Sequence, residues 1–155
     1  VHALLQHLPD LVAAEREAAA RRFIGGLGEL AGQEDAICAA VLAVLGHPAL
    51  AALYGPGSMA EIPLAGVVGD VEIGGLVDRL AVTDSAVILA DYKTDRTPPE
   101  RAEDIPAGYL RQLAAYKAIL AQIYPGREIN CLLVWTENAL VMPVPLALLN
   151  SHVPA

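Results

Sequence analysis

Two periodicities divide the chain. From Val1 to about Gly55, apolar residues recur every three or four positions, as in VHALLQHL, DLVAAEREAAARRFIGGL and QEDAICAAVLAVLG. That spacing predicts helices, with breaks at Pro9-Asp10 and Gly25-Gly26. HPALAALYG predicts one more short helix, opened by His47-Pro48 and closed by Gly55. After Gly57 the period shortens to two. MAEIPLAGVVG, VEIGGLVDRLAVTD and AVILADYKTD read as strands of an antiparallel meander, separated by Gly-Asp and Asp-Ser turns. DRTPPERAEDIPAG is polar and broken by prolines, a predicted exposed loop. AGYLRQLAAYKAILAQIY returns to helical spacing, with Tyr109, Leu113, Tyr116 and Leu120 on one stripe and a stop at Pro125-Gly126. INCLLVWTE and ALVMPVP predict two last strands, joined through Asn138.

This order, a helical cap, three strands, one helix and two strands, fits either an α+β or a mixed-sheet arrangement. The helix between the third and fourth strands is long enough for a crossover, so those two strands can run parallel. At 155 residues the expectation is one domain spanning 1–155, with a helical part over 1–57 and a sheet core with its crossover helix over 58–155. No repeat and no low-complexity tract interrupts it. The start at Val1-His2, already inside a helical pattern, suggests a piece of a longer polypeptide. The apolar runs fall short of the roughly 18 to 20 residues that cross a bilayer, so a soluble protein with no membrane partner is expected. Cys38 and Cys131 lie far apart among apolar neighbours with no CxxC spacing, and read as buried thiols in a reducing, cytoplasmic setting.

The formal net charge of -8 argues against a free-standing nucleic-acid binder, since phosphate affinity ordinarily comes from surplus Lys and Arg. Part of that charge has another reading. Carboxylates that hold a divalent cation count as negative in such a sum, although the ion cancels them where the substrate sits.

LVDRLAVTDSAVILADYKTD is the stretch that changes the picture. Strand alternation puts Leu76, Asp78, Leu80 and Val82 on one side, and in the next strand Val87, Leu89, Asp91 and Lys93 on one side. Two neighbouring strands thus each turn an acid toward an interior or a cleft, which is costly for a charge without a partner. One reading is a structural Asp-Lys pair at a strand end. The other is a metal site, in which Asp78 and Asp91 hold Mg²⁺, a hard ion that prefers carboxylate oxygens, and Lys93 orients or activates the attacking water. A single lysine cannot neutralise two acids, and the open loop that follows admits a substrate.

GLVDRL, then DYKTD, then YLRQLAAY together resemble the PD-(D/E)xK nuclease superfamily, and within it the RecB-type nuclease domains of bacterial helicase-nucleases of the AddAB kind. The resemblance covers nearly the whole chain and is strongest from Gly75 to Tyr116. It implies an α/β, restriction-endonuclease-like fold, with a mixed central sheet, flanking helices and an N-terminal helical cap. It implies Asp78, Asp91 and Lys93 as metal and catalytic residues, the Tyr92 carbonyl as a further ligand, and His2 as the histidine that closes the metal site. Gln112 and Tyr116, with Tyr109 one turn before, share a helix face that in the family borders the active site; both tyrosines are equally well read as core. Gln112, an amide in an apolar stripe, needs partners of its own. Glu61 is similar to a family acid near the site, whereas His7 and His47 read as structural.

The activity implied is Mg²⁺-dependent hydrolysis of DNA strands by metal-activated water, with Mn²⁺ able to substitute, leaving a 3′-hydroxyl and a 5′-phosphate. Double-strand break processing for recombinational repair is the implied setting. The partners implied are single-stranded DNA from unwinding, a helicase region of the same chain and a second subunit of the AddB type. The literal Pro-Asp of the superfamily name is absent, because Val77 precedes Asp78. Arg79, Arg96, Arg101, Arg111 and Lys117 are read as solvated surface charge rather than phosphate contacts. The alternative to an enzyme is an inactive nuclease-like module for DNA-end docking or subunit interaction, and the intact Asp78, Asp91 and Lys93 speak against it.

Overall fold

The computed structural model describes all residues, Val1–Ala155. The helical part comprises α1 (His2–His7), a 3₁₀ turn at Leu8–Asp10, α2 (Ala13–Gly25) and α3 (Glu34–Leu45). The sheet follows as β1 (Ser58–Val68), β2 (Val71–Val82) and β3 (Ala86–Lys93), then α4 (Ala107–Ile123), β4 (Glu128–Trp135), β5 (Leu140–Pro143) and α5 (Leu146–Asn150).

The strands lie in the order β1-β2-β3-β4-β5. β1, β2 and β3 form an antiparallel meander, and β4 and β5 pair antiparallel. Between these units β3 and β4 run parallel, from Ala86↔Glu128 to Lys93↔Trp135. The α4 crossover permits this, because parallel neighbours need a long connection to return the chain to the same end of the sheet. The fold is therefore a mixed five-stranded α/β sheet with flanking helices. β1 and β2 join through Gly69-Asp70, where Gly69 takes φ +60°, the conformation a two-residue hairpin asks of its first central residue.

Each face of the sheet carries its own apolar core. Under α4, Leu113, Tyr116, Ile119 and Leu120 meet Leu80, Leu89, Leu133 and Trp135. On the opposite face the helical cap supplies Leu5, Ile24, Val41 and Val44 against Ala81, Ala90, Tyr92 and Val134. The small alanines at Ala81 and Ala90 let the cap helices approach the strands closely. No helix is long and apolar enough to cross a membrane. Cys38 and Cys131 are free thiols, both buried.

Three local features differ from the sequence reading or lie outside it, each for a physical reason. HPALAALYG forms only a 3₁₀ turn, Pro48–Leu50, and further turns; the His47 Nδ1 accepts from the Ala49 amide at 3.2 Å and starts the segment tightly. A short helix, α5, follows β5 beyond the last element the sequence predicts, because Pro143 and Pro145 end the ladder and Leu149 is drawn into the core under α4. Third, β2 does not alternate uniformly. Leu76 is 47% exposed, and Val77 and Leu80 both enter the core under α4, so the alternation slips at Asp78.

Candidate active site

The slip in β2 marks the place where the sheet opens. Pairing between β2 and β3 runs from Val82↔Val87 to Arg79↔Ala90 and ends there. One step further in the same register sets Asp78 opposite Asp91. On the other side of β2, the β1 ladder skips the position between Ala60↔Arg79 and Ile62↔Val77, where Glu61 faces Asp78. Glu61 has φ +52°, a left-handed conformation rare for a residue with a side chain and a sign of local backbone strain. Three acids from three strands thus occupy one row, at a point where the ladder lets go on both sides of the middle strand.

The backbone freed there bonds to side chains instead. The Tyr92 amide, at the open end of β3, donates to Asp78 Oδ2 at 2.7 Å. Its carbonyl lies 3.1 Å from His2 Nε2, which is 3.7 Å from Asp78 Oδ2. The His2 ring stands edge-on to the Tyr92 ring, with centroids 5.8 Å apart. The imidazole is raised above its usual pKa, chiefly by the Asp78 carboxylate, against the effect of partial burial. His2, from the first turn of α1, and the acids of the sheet are thus brought together from distant parts of the sequence.

Asp91 and Lys93 point the same way from β3. Lys93 Nζ approaches Asp91 Oδ2 to 2.6 Å, with side chains only 14% and 11% exposed respectively. The contact is a close charge pair that holds the buried Asp91 Oδ2 against the ammonium. Burial pushes the Asp91 carboxyl up from its ordinary value, the Lys93 charge pulls it back, and Asp78 pushes it up again. The net direction is upward, because one lysine on the edge of the pair does not repay the lost hydration.

Lys93 has a second neighbour. Its Nζ sits 3.7 Å from the centroid of the Tyr109 ring, a cation–π contact. Tyr109 in turn donates its hydroxyl to Asp95 Oδ2 at 2.5 Å, a bond that pushes the phenol up to about 12 and keeps it a donor at neutral pH. The last Asp of DYKTD therefore ties the loop after β3 to the first turns of α4, with the lysine held between.

Gln112 and Tyr116 lie deeper along α4. Gln112 is exposed rather than set in an apolar stripe, and its amide donates to the Tyr116 hydroxyl at 3.3 Å. Neither forms a hydrogen bond to Asp78, Asp91 or Lys93. The Tyr116 hydroxyl instead touches β2 at Gly75, where a Cβ would lie 1.9 Å from it. The glycine three residues before Asp78 is thus the seat of the tyrosine from YLRQLAAY. His7 is exposed and His47 caps the turn at Pro48.

Arg79 overturns its sequence reading as surface charge. It is 2% exposed, and its Nη2 donates to the carbonyls of Leu5 at 3.1 Å and Gln6 at 3.3 Å in α1. The signal was present in the sequence: alternation puts Arg79 beside Ala81, on the side the cap helices must cover. Arg96, Arg101 and Arg111 do lie exposed.

No three histidine, cysteine, aspartate or glutamate side chains come together as a metal-ligand group. The donor chemistry nonetheless fits a hard divalent cation: two carboxylates in facing positions, one of them buried, a backbone carbonyl and an imidazole. Next to it opens a groove of about 480 Å³ lined by Val1, Gln33, Thr94, Arg96 and Thr136. A larger cavity, about 560 Å³, lies elsewhere, around Lys117, Cys131 and Leu149, and contains none of the acids of the row.

Comparison with known proteins bears on this geometry. An ATP-dependent helicase/nuclease polypeptide of Lactiplantibacillus plantarum, one subunit of its enzyme, is 36% identical over 76 residues, which cover 49% of this chain and 6% of that protein. Its counterpart of the same name in Oenococcus oeni is 33% identical over 60 residues, 39% of this chain and 5% of that protein. The matched stretch is a small part of both relatives. The crystal structure of SSO0001 aligns over 94% of this chain and 70% of its own, with a TM-score of 0.41 and 18% identity. A family model matches residues 1–142, from the helix that carries His2 to the last strand. The chain belongs to the PD-(D/E)XK nuclease superfamily.

Proposed function

We propose that this chain is the nuclease domain of a DNA helicase-nuclease, and that it hydrolyses phosphodiester bonds of unwound DNA strands with a bound Mg²⁺, for which Mn²⁺ substitutes. The observation that carries this reading is the row of acids at the opened ladder, with Lys93 against the buried Asp91. A purely structural ion pair needs one acid; here a second acid and a histidine face the same point.

Asp78, Asp91, the Tyr92 carbonyl and His2 are the groups that would hold the ion. A divalent cation there supplies positive charge against the phosphate and makes a water more acidic. The protein's own groups do the rest. The Tyr92 amide fixes the Asp78 carboxylate, so the acid needs no reorganisation when substrate arrives. Lys93 presents its positive charge where negative charge grows on the phosphate oxygens. Tyr109, anchored on Asp95, restrains that ammonium. The groove, lined by Gln33, Thr94 and Thr136 with Ala36, Ile37 and Ala40, offers a path to a single strand leaving the site, and its charged residues are Arg96 and, 4.0 Å from it, Glu137.

The net charge of -8 indicates that most DNA affinity resides outside these residues. We assign it to the helicase region of a longer chain and to a second subunit of the AddB type, with the protein working in the cytoplasm on double-strand breaks. Residues 1–155 then form one domain of that chain. The test is cleavage of end-labelled single-stranded DNA by the intact protein, with Mg²⁺ and with chelator, for wild type, Asp78→Asn and Asp91→Asn. Loss of cleavage with chelator and in both variants, with ATP-driven unwinding retained, is expected. Cleavage that survives either substitution removes the acids from the mechanism.

A further inference from the structure

We infer that Arg79 is the positioning residue of this site, a buried guanidinium that locks α1 onto β2 so that His2 stands beside Asp78 and the Tyr92 carbonyl. The inference rests on the reading of His2 as part of the metal site. Arg79 takes part in none of the chain's ion pairs, and its Nε has no hydrogen-bond partner. Its Cζ lies 5.5 Å from the centroid of the Tyr54 ring, whose hydroxyl bonds that of Tyr92 at 2.8 Å. An arginine buried without a carboxylate is costly, and an apolar side chain would fill the same space at lower cost. What an apolar side chain cannot do is hold a helix at one rotation.

α1 needs that hold. It has only six residues, too few to be stable alone, and Leu4, Leu5 and Leu8 fix its depth against the sheet without fixing its rotation, since apolar contacts have no direction. The Leu5 and Gln6 carbonyls belong to the last turn of the helix, where they lack intrahelical donors and carry the negative end of its dipole. One Nη2 group donating to both sets the rotation and height of α1 together. His2 lies three and four residues before these carbonyls, one turn away on the same side of the helix. A slip of a single residue, about 1.5 Å and 100°, takes its ring off Asp78. Arg79 follows Asp78 directly in β2, so one dipeptide sets the acid on one side and the clamp for its histidine on the other. Lysine is no equal substitute, being a point charge without the planar fork. Arg16, which donates to Pro9 and Leu11 carbonyls, steadies the turn beyond α1 rather than the helix itself.

The test replaces Mg²⁺ with Fe²⁺ in the intact protein and adds peroxide and ascorbate, so that hydroxyl radicals made at the bound ion cut nearby backbone. In wild type the cuts are expected around Asp78, around Asp91 and at the start of α1. In Arg79→Met the α1 cut should fall at least tenfold while the β2 and β3 cuts stay within threefold of wild type, a pattern that unfolding does not produce. Arg79→Lys, which keeps the charge, should fall between, and serves in its place if the Met variant does not fold. The Mn²⁺ concentration for half-maximal cleavage should rise about tenfold in Arg79→Met and no further when His2→Ala is added, because the two act on one contact. An α1 cut at wild-type strength in the Arg79 variants, or additive losses in the double variant, overturns the assignment of Arg79. Absence of β2 and β3 cuts in wild type overturns the metal reading instead.

Discussion

Lys93 is the residue on which two explanations of this site part. As a mere counter-ion for buried acids it would matter for stability, with about 3 to 5 kcal/mol lost on its removal. Its surroundings argue for a smaller cost: Asp91 already has a raised pKa and can take a proton once the ammonium is gone. Lys93→Ala is therefore expected to lose about 1 to 2 kcal/mol of stability and about 10²- to 10³-fold or more in cleavage rate. Denaturant melts and single-turnover cleavage on the same variant check this, and retained cleavage with a large loss of stability would reverse the assignment. Tyr109 gives a finer test. Tyr109→Phe keeps the ring under Lys93 but loses the bond to Asp95, whereas Tyr109→Leu loses both. With about 0.5 to 2 kcal/mol for such a cation–π contact, the Leu variant should fall roughly 2- to 30-fold in cleavage rate and the Phe variant less. Asp78, Asp91 and Lys93 were legible in the sequence because a charge in an apolar strand has no inexpensive place to go. Arg79 carried a signal, its alternation with Ala81, that reading an arginine as surface charge passes over, and Asp95 carried none, since an aspartate in a loop looks like surface until the element that covers it is known. Gln112 failed the other way: its neighbours on the helix are apolar, but the helix turns its amide outward.

Among elements, the contact of α4 with β2 at Gly75 links the strand that carries Asp78 to the helix that carries Tyr109 and Tyr116. Gly75→Ala drives a Cβ into the Tyr116 hydroxyl and should cost about 1 to 3 kcal/mol, as overpacking does. Gly74→Ala, whose added Cβ meets nothing within 4 Å, is the control and should melt close to wild type. Adding Tyr116→Ala to Gly75→Ala should change stability by less than the sum of the two single effects, because the clash is gone. Additive losses in a thermal-melt series would show that the tyrosine can move aside. The strands and long helices were readable from period alone, whereas the length of the connection through α4 allowed the parallel pairing without deciding it. The slip of alternation at Asp78 was not, because no residue type in β2 marks it and the left-handed Glu61 opposite it lies in the neighbouring strand. α5 escaped notice because five residues after two prolines hold too little periodicity to register, and its place is set by Leu149 in the core.

At the scale of the whole molecule, the two apolar layers on either face of the sheet decide how the thiols behave. Burial pushes the Cys131 thiol up to about 12, and Cys38 is buried in the cap. Neither should react with iodoacetamide at pH 8 until the chain unfolds, so labelling in a denaturant series should follow the unfolding curve. An unfolded thiol ionises near 8.5, below the folded value, so Cys131 contributes stability that is complete below about pH 8.5 and is lost as pH rises toward about 12. Cys131→Ser should flatten that alkaline decline in pH-dependent melts; an unchanged slope would assign it to other groups. The same two layers leave the open end of the β2–β3 ladder as the place where α1, the sheet and α4 meet, and the reading of the protein as a metal-dependent nuclease stands on what binds there. The most direct measurement is the anomalous scattering of Mn²⁺ soaked into crystals of the protein. A peak is expected within about 2.5 Å of carboxylate oxygens of both Asp78 and Asp91, with the Tyr92 carbonyl and His2 Nε2 completing the set and Lys93 displaced from Asp91 toward the groove. Saturating Mn²⁺ with no peak between the two acids, and Lys93 still against Asp91, would contradict it.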